Sequence, residues 1–145
     1  MNFSIVKSAL LFAIPLLLFS SCAQTEISKL DGSWRLFWLN DLADPDVYVW
    51  QFADGELTIL QFQPDNPSGV TIAGRAQYET SSEFLGARVS IAGHVQSASA
   101  GSVNSMLSNG VWKIDKINND VLRLSTTDQE GGGGSYIIRE FTREN

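Results

Sequence analysis

The chain of 145 residues holds one cysteine, Cys22, and one histidine, His94. A nucleophilic site needs a serine or cysteine beside a base that a third group orients. A metal site needs three or four nitrogen, oxygen or sulfur donors at close quarters. Neither constellation can be assembled from this inventory, so no enzyme is expected and no metal or cofactor is implied. His94 alternates with Arg88, Ser90 and Gln96 and reads as a surface residue of a strand. Asp41, Asp44 and Asp46 lack the oxygen-rich loop pattern of a calcium site and read as a solvated turn. The four glycines at 131–134 do not stand between a strand and a helix, so they cannot form a phosphate cradle. The remaining chemistry is aromatic: four Trp, three Tyr and eight Phe. Trp34, Trp38, Trp50, Phe52 and Trp112 fall on faces read as inward. Such rings either line a cavity for an apolar ligand or fill the core of a small barrel, and the pattern alone fits both.

Cys22 has its own context. Residues 1–7 carry one positive charge, Lys7; residues 9–19 are apolar apart from the turn-former Pro15; Ser20 and Ser21 lead into the cysteine. A basic head, a short apolar run and small residues at its end describe a secretory signal peptide over residues 1–21. The run is too short to span a bilayer comfortably. The stretch from Leu18 to Cys22 resembles the bacterial lipobox, with Phe19 where leucine is usual. That resemblance implies cleavage after Ser21 and acylation of Cys22, which anchors the protein to a membrane and removes a reactive thiol. Ala23 in place of aspartate resembles a pass to the outer membrane. Residues 22–31 are then a lipidated tether, and 32–145 the folded domain.

Charge narrows the partners. Lys7 is the only charge in 1–21, so processing takes Lys and Arg from 10 to 9 against 16 acidic residues, a net charge of −7. The basic residues are scattered. Phosphate contacts need clustered Lys and Arg, so nucleic acid is not an expected partner.

From Gly32 onward the hydrophobic period is that of strands. The runs are 33–39, 47–52, 57–63, 70–78, 87–96, 111–117, 121–126 and 136–143, with a weak ninth at 103–108. Asp54-Gly55 is a two-residue hairpin signal. It pairs Phe52 with Leu57, Trp50 with Ile59 and Tyr48 with Gln61, gathering Trp50, Phe52, Leu57 and Ile59 on one face. Leu60 and Phe62 then fall on the polar side, where an exposed pair would mark a contact surface. Residues 64–69 read as a turn. In the fifth run Val89, Ile91 and Val95 face one way. A three-residue loop at 118–120 pairs Asp115 with Arg123 and sets Trp112 and Ile114 beside Leu122 and Leu124. Eight short strands joined as a meander predict an all-β, antiparallel up-and-down barrel.

The opening Leu30-Asp31-Gly32-Ser33-Trp34 resembles the Gly-x-Trp signature of lipocalins and the wider calycin group. The stretches 50–55, 110–114, 121–124 and 139–143 are similar to the bacterial lipocalin-like domain of small lipoproteins. The resemblance implies that Trp34, introduced by Gly32, plugs the closed end of the barrel under a basic residue of the last strand. That residue is Arg143 or Arg139, and Arg143 lies nearer. It further implies a small hydrophobic ligand, with Trp38, Trp50, Phe52 and Trp112 as candidate lining residues. The other expectation is a filled barrel that acts through its outer face.

Overall fold

The computed structural model describes residues 27–39, 47–63, 66–83, 86–97, 109–127 and 136–144. Cys22, the signal peptide and the weak ninth run lie outside these residues. Eight strands follow in chain order: β1 (Gly32–Leu39), β2 (Val47–Ala53), β3 (Glu56–Gln63), β4 (Asn66–Glu83), β5 (Gly86–Gln96), β6 (Gly110–Ile117), β7 (Val121–Thr126) and β8 (Ile137–Arg143). Each pairs antiparallel with its neighbour, and β8 returns to β1, so the sheet is a closed barrel. Closure removes the free edges of an open sheet along the rungs it pairs.

The β2–β3 hairpin sets the register of the front wall. Asp54 and Gly55 both take positive φ, 51° and 80°, as the turn that matches the strand twist demands. Phe52 pairs with Leu57, Trp50 with Ile59 and Tyr48 with Gln61, as Asp54-Gly55 predicts. All six side chains are buried. Trp34, Val89, Ile91, Trp112, Ile114, Leu122, Leu124 and Phe141 complete a single core.

Where the parity of the sequence misleads, a β-bulge intervenes. An extra residue in one strand flips the faces beyond it. Between Leu36 and Trp38 the register slips, so Trp38 pairs with Glu140 rather than continuing the series of Trp34 and Leu36. Phe37, at the slip, is 74% exposed. A second bulge at Asp115 sets Lys116 opposite Arg123, not Asp115, and brings Ile117 inside against Leu122. Arg123 instead pairs with Glu140 at 3.3 Å. A third bulge, at Gly93 (φ 68°), leaves Val95 71% exposed although its parity predicts an inward side chain. Residues 66–69, read as turn, belong to β4, which runs 18 residues because β3 and β5 supply ladder partners along it.

The two ends differ. Tight connections at Asp54-Gly55 and 118–120, the start of β1 and the end of β8 all lie at one end. The segments joining β1 to β2, β5 to β6 and β7 to β8 lie at the other. Residues 27–31 fold back over the tight end: Leu30 is buried in the core and its N–H donates to the Ile27 carbonyl. The tether reading of 22–31 therefore meets the barrel at Ile27.

Candidate functional site

Two arginine–indole stacks organise the barrel from end to middle. At the tight end Trp34 is fully buried, and its Nε1 donates to the Leu30 carbonyl at 2.8 Å. Arg143 lies over its ring at 4.1 Å. The guanidinium donates to the carbonyls of Asn119 (2.9 Å), Asp31 (3.2 Å) and Lys29 (2.6 Å). Gly32, at φ 129°, leaves the room: a Cβ there would stand 2.5 Å from Arg143 Nη1. Gly32, Trp34 and Arg143 are thus brought together as a lock across three chain segments. Beside it the Tyr78 hydroxyl donates to Asp31 Oδ1 at 2.7 Å. Burial first, and then this hydrogen bond, push the phenol up to about 12. A groove of about 500 Å³ outside this end is rimmed by Asp31, Asp54 and Glu79.

The second stack is interior. Arg139, fully buried, lies over both Trp50 and Trp112, at 5.0 and 4.8 Å from the two ring centroids. The indoles meet edge to face at 6.4 Å. Below them Phe141 packs on Trp50 at 5.2 Å, and Phe52 joins Trp50 to Tyr78, at 6.1 and 5.1 Å. These rings form a packed floor, and Phe52 belongs to it. Trp50 and Trp112 are fully buried within it. The side chain of Trp38 lies outside the described residues.

Polar groups gather on this floor. Gln61 Nε2 donates to the Tyr48 hydroxyl at 3.4 Å, with both residues buried. The indole Nε1 of Trp50 is buried and has no hydrogen-bond partner. So is Nε2 of His94, the residue read from parity as outward. The Gly93 bulge turns that imidazole against Gly74, in the space a Cβ at Gly74 would need. Gly74 shares a rung with Ile59, and Ile59 with Trp50, so the imidazole meets the wall two strands across from Trp50. Burial, and after it the charge of Arg139, lower the proton affinity of His94. Among the described residues no cluster of three His, Cys, Asp or Glu side chains suits a metal ion.

The interior arginine escaped the sequence reading, which treated Arg139 only as an alternative to Arg143. A signal existed: Ile137, Arg139 and Phe141 alternate as one inward face, so a cation was due inside the barrel. The inward His94 carried a weaker signal, the adjacent Gly93.

No protein-family model, curated protein or solved structure matches this chain.

Proposed function

We propose that the chain is a non-enzymatic binding module of lipocalin-like build, tethered to the cell envelope through lipid on Cys22. On this reading it sits at the outer membrane and takes up a small, largely apolar ligand through the end opposite the Trp34 lock. The observation that carries the reading is the unpartnered indole N–H of Trp50, buried inside a closed barrel on the level of Arg139. Buried donors are nearly always paired in folded proteins, so one left unmet at this depth calls for an explanation, and an incoming acceptor supplies one. The asymmetry of the barrel also supports it. One end is locked by a stacked arginine and a folded-back segment; the other carries the longer connections, where binding residues of such scaffolds are commonly placed.

The test is a fluorescence titration of the purified protein with a hydrophobic dye. Saturable one-to-one binding that quenches tryptophan emission, and is competed by 1-octanol, is the expected result. Dye that binds without saturation would favour a filled barrel. Metabolic labelling with palmitate, lost in Cys22→Ser, tests the anchor.

One observation favours the outer face as a second reading. Val70 and Ile72 of β4 are 50% and 41% exposed and stand opposite Phe62 and Leu60 of β3, both half-buried. This apolar strip would serve a barrel that acts by contact rather than by uptake.

A further inference from the structure

We infer that the end of β4, from Glu79 to Glu83, is a docking edge to which a basic, extended segment of another protein adds as a strand. The inference goes beyond ligand uptake and does not depend on it.

The barrel wall is uneven at its tight end. β3 starts at Glu56, which pairs with Gln77, and from there β4 runs on to Glu83 with ladder partners on β5 alone. The last bond on the β3 side is the Tyr78 N–H donating to the Gly55 carbonyl at 2.8 Å. In an antiparallel ladder the N–H and C=O of one residue point to the same side, and the side alternates along the strand. Tyr78 faces the turn, so Thr80 and Ser82 aim their backbone groups the same way, while Glu79 and Ser81 turn theirs to Ser90 and Arg88 of β5. Among the described residues no strand pairs with that side of 79–83. Residues 79–82 are exposed. The open stretch spans about 17 Å at a strand's rise per residue, enough for a short added strand.

Charge selects the occupant. The groove of about 500 Å³ at the start of this edge is lined by Glu79 and Thr80 together with Asp31 and Asp54. Among the described residues none of these three carboxylates has a salt-bridge partner. Glu83 adds a further acidic residue at the far end. The cation in this stretch of sheet, Arg88, stands across from Ser81 on the side already paired. Two copies of the chain pairing antiparallel about Ser81 would set Glu79 opposite Glu83, and like charges directly opposed are unfavourable. The segment preceding Ile27 carries Glu26 and brings the same conflict. A strand with Lys or Arg at alternate positions reverses the sign. Its backbone meets Thr80 and Ser82, and its cations meet the carboxylates.

The test is a titration of the purified protein with a capped hexapeptide of alternating lysine and valine, read by calorimetry and by amide hydrogen exchange. A glutamate–valine hexapeptide inverts the charge, and spermidine keeps the positive charge without a peptide backbone. The lysine–valine peptide should bind at least tenfold more tightly than either. It should protect the amides of Thr80 and Ser82 and leave those of Glu79 and Ser81 unchanged. Thr80→Pro deletes an edge donor at a position where proline suits an edge strand, and should weaken the peptide at least tenfold without moving the urea midpoint. If that variant does not fold, Glu79→Gln decides, with a several-fold loss expected. Equal binding of spermidine overturns strand addition, and equal binding of the glutamate peptide overturns the basic partner. Absence of peptide binding, or binding that neither variant weakens, overturns both. Protection of Thr80 and Ser82 before any peptide is added also overturns the proposal. Protection that rises with protein concentration would assign the edge to a second copy, and protection that persists on dilution would assign it to the chain's own residues.

Discussion

Arg139 and Arg143 stand four residues apart on β8, and each lays its guanidinium on indole. At Arg143 the stack is a joint. The plane rests on Trp34, while the edge donates to three backbone carbonyls from two separate segments. The indole beneath is satisfied too, through the Leu30 carbonyl. At Arg139 the cation is held by two rings, and the indole beside it keeps a buried donor unmet. The same pair of residue types thus serves two ends. Where both partners' polar atoms are spent on the protein's own backbone, the stack stabilises the fold. Where an indole N–H is left over, the stack is the one on which the proposed binding reading rests.

The comparison breaks most visibly at the joint. Arg143→Ala removes the stack and three hydrogen bonds to carbonyls, and should cost about 3 kcal/mol in urea unfolding. A loss within error would mean that the tight end is held by the turns alone. The conservative pair is sharper. Trp34→Phe and Trp50→Phe delete the same atoms from two fully buried rings, so their cavity costs are alike. Only Trp34→Phe also leaves the Leu30 carbonyl without its donor. Trp34→Phe should therefore be the more destabilising by about 1 kcal/mol. Equal losses would contradict the distinction between the two stacks.

Acid tests the interior side of the comparison. His94 binds a proton less readily folded than unfolded, by burial and then by the charge of Arg139. The unfolded chain therefore takes up the proton first, so stability is fully present above an ordinary histidine pKa of about 6.5 and falls as pH drops below it. His94→Gln should flatten that part of the profile. An unchanged acid limb would place the imidazole in solvent. The smallest effect belongs to the outer surface. Arg35 and Glu144 form a close ion pair between exposed side chains. Glu144→Gln should change stability by less than about 1 kcal/mol and less still in high salt.

What could be read from the sequence follows the same division. The turn at Asp54-Gly55 is a local signal with one good geometry, and it carried the whole β2–β3 register with it. Strand alternation placed Trp34, Trp50 and Trp112 inside because burial on one face enforces period two. The grouping of Gly32, Trp34 and Arg143 was an expectation from the resemblance of the Gly-x-Trp opening, and strand position served only to prefer Arg143 over Arg139. The bulges were not legible. Phe37 and Asp115 look like ordinary strand residues, and only pairing across the barrel shows that each is the extra residue. Since each bulge reverses parity beyond it, the faces of Val95 and His94 were misread together, from one cause. Residues 66–69 carry turn chemistry, yet β3 and β5 offer ladders that extend the strand through them and past its other end.

The most direct measurement is a nitrogen–proton correlation spectrum of the four indole groups, recorded without and with saturating 1-octanol. The Trp50 Nε1–H resonance should move strongly and gain protection from solvent exchange, while that of Trp34, already bonded to Leu30, stays in place. Equal movement of both resonances, or a Trp50 signal unchanged at saturation, would contradict the division of labour between the two stacks.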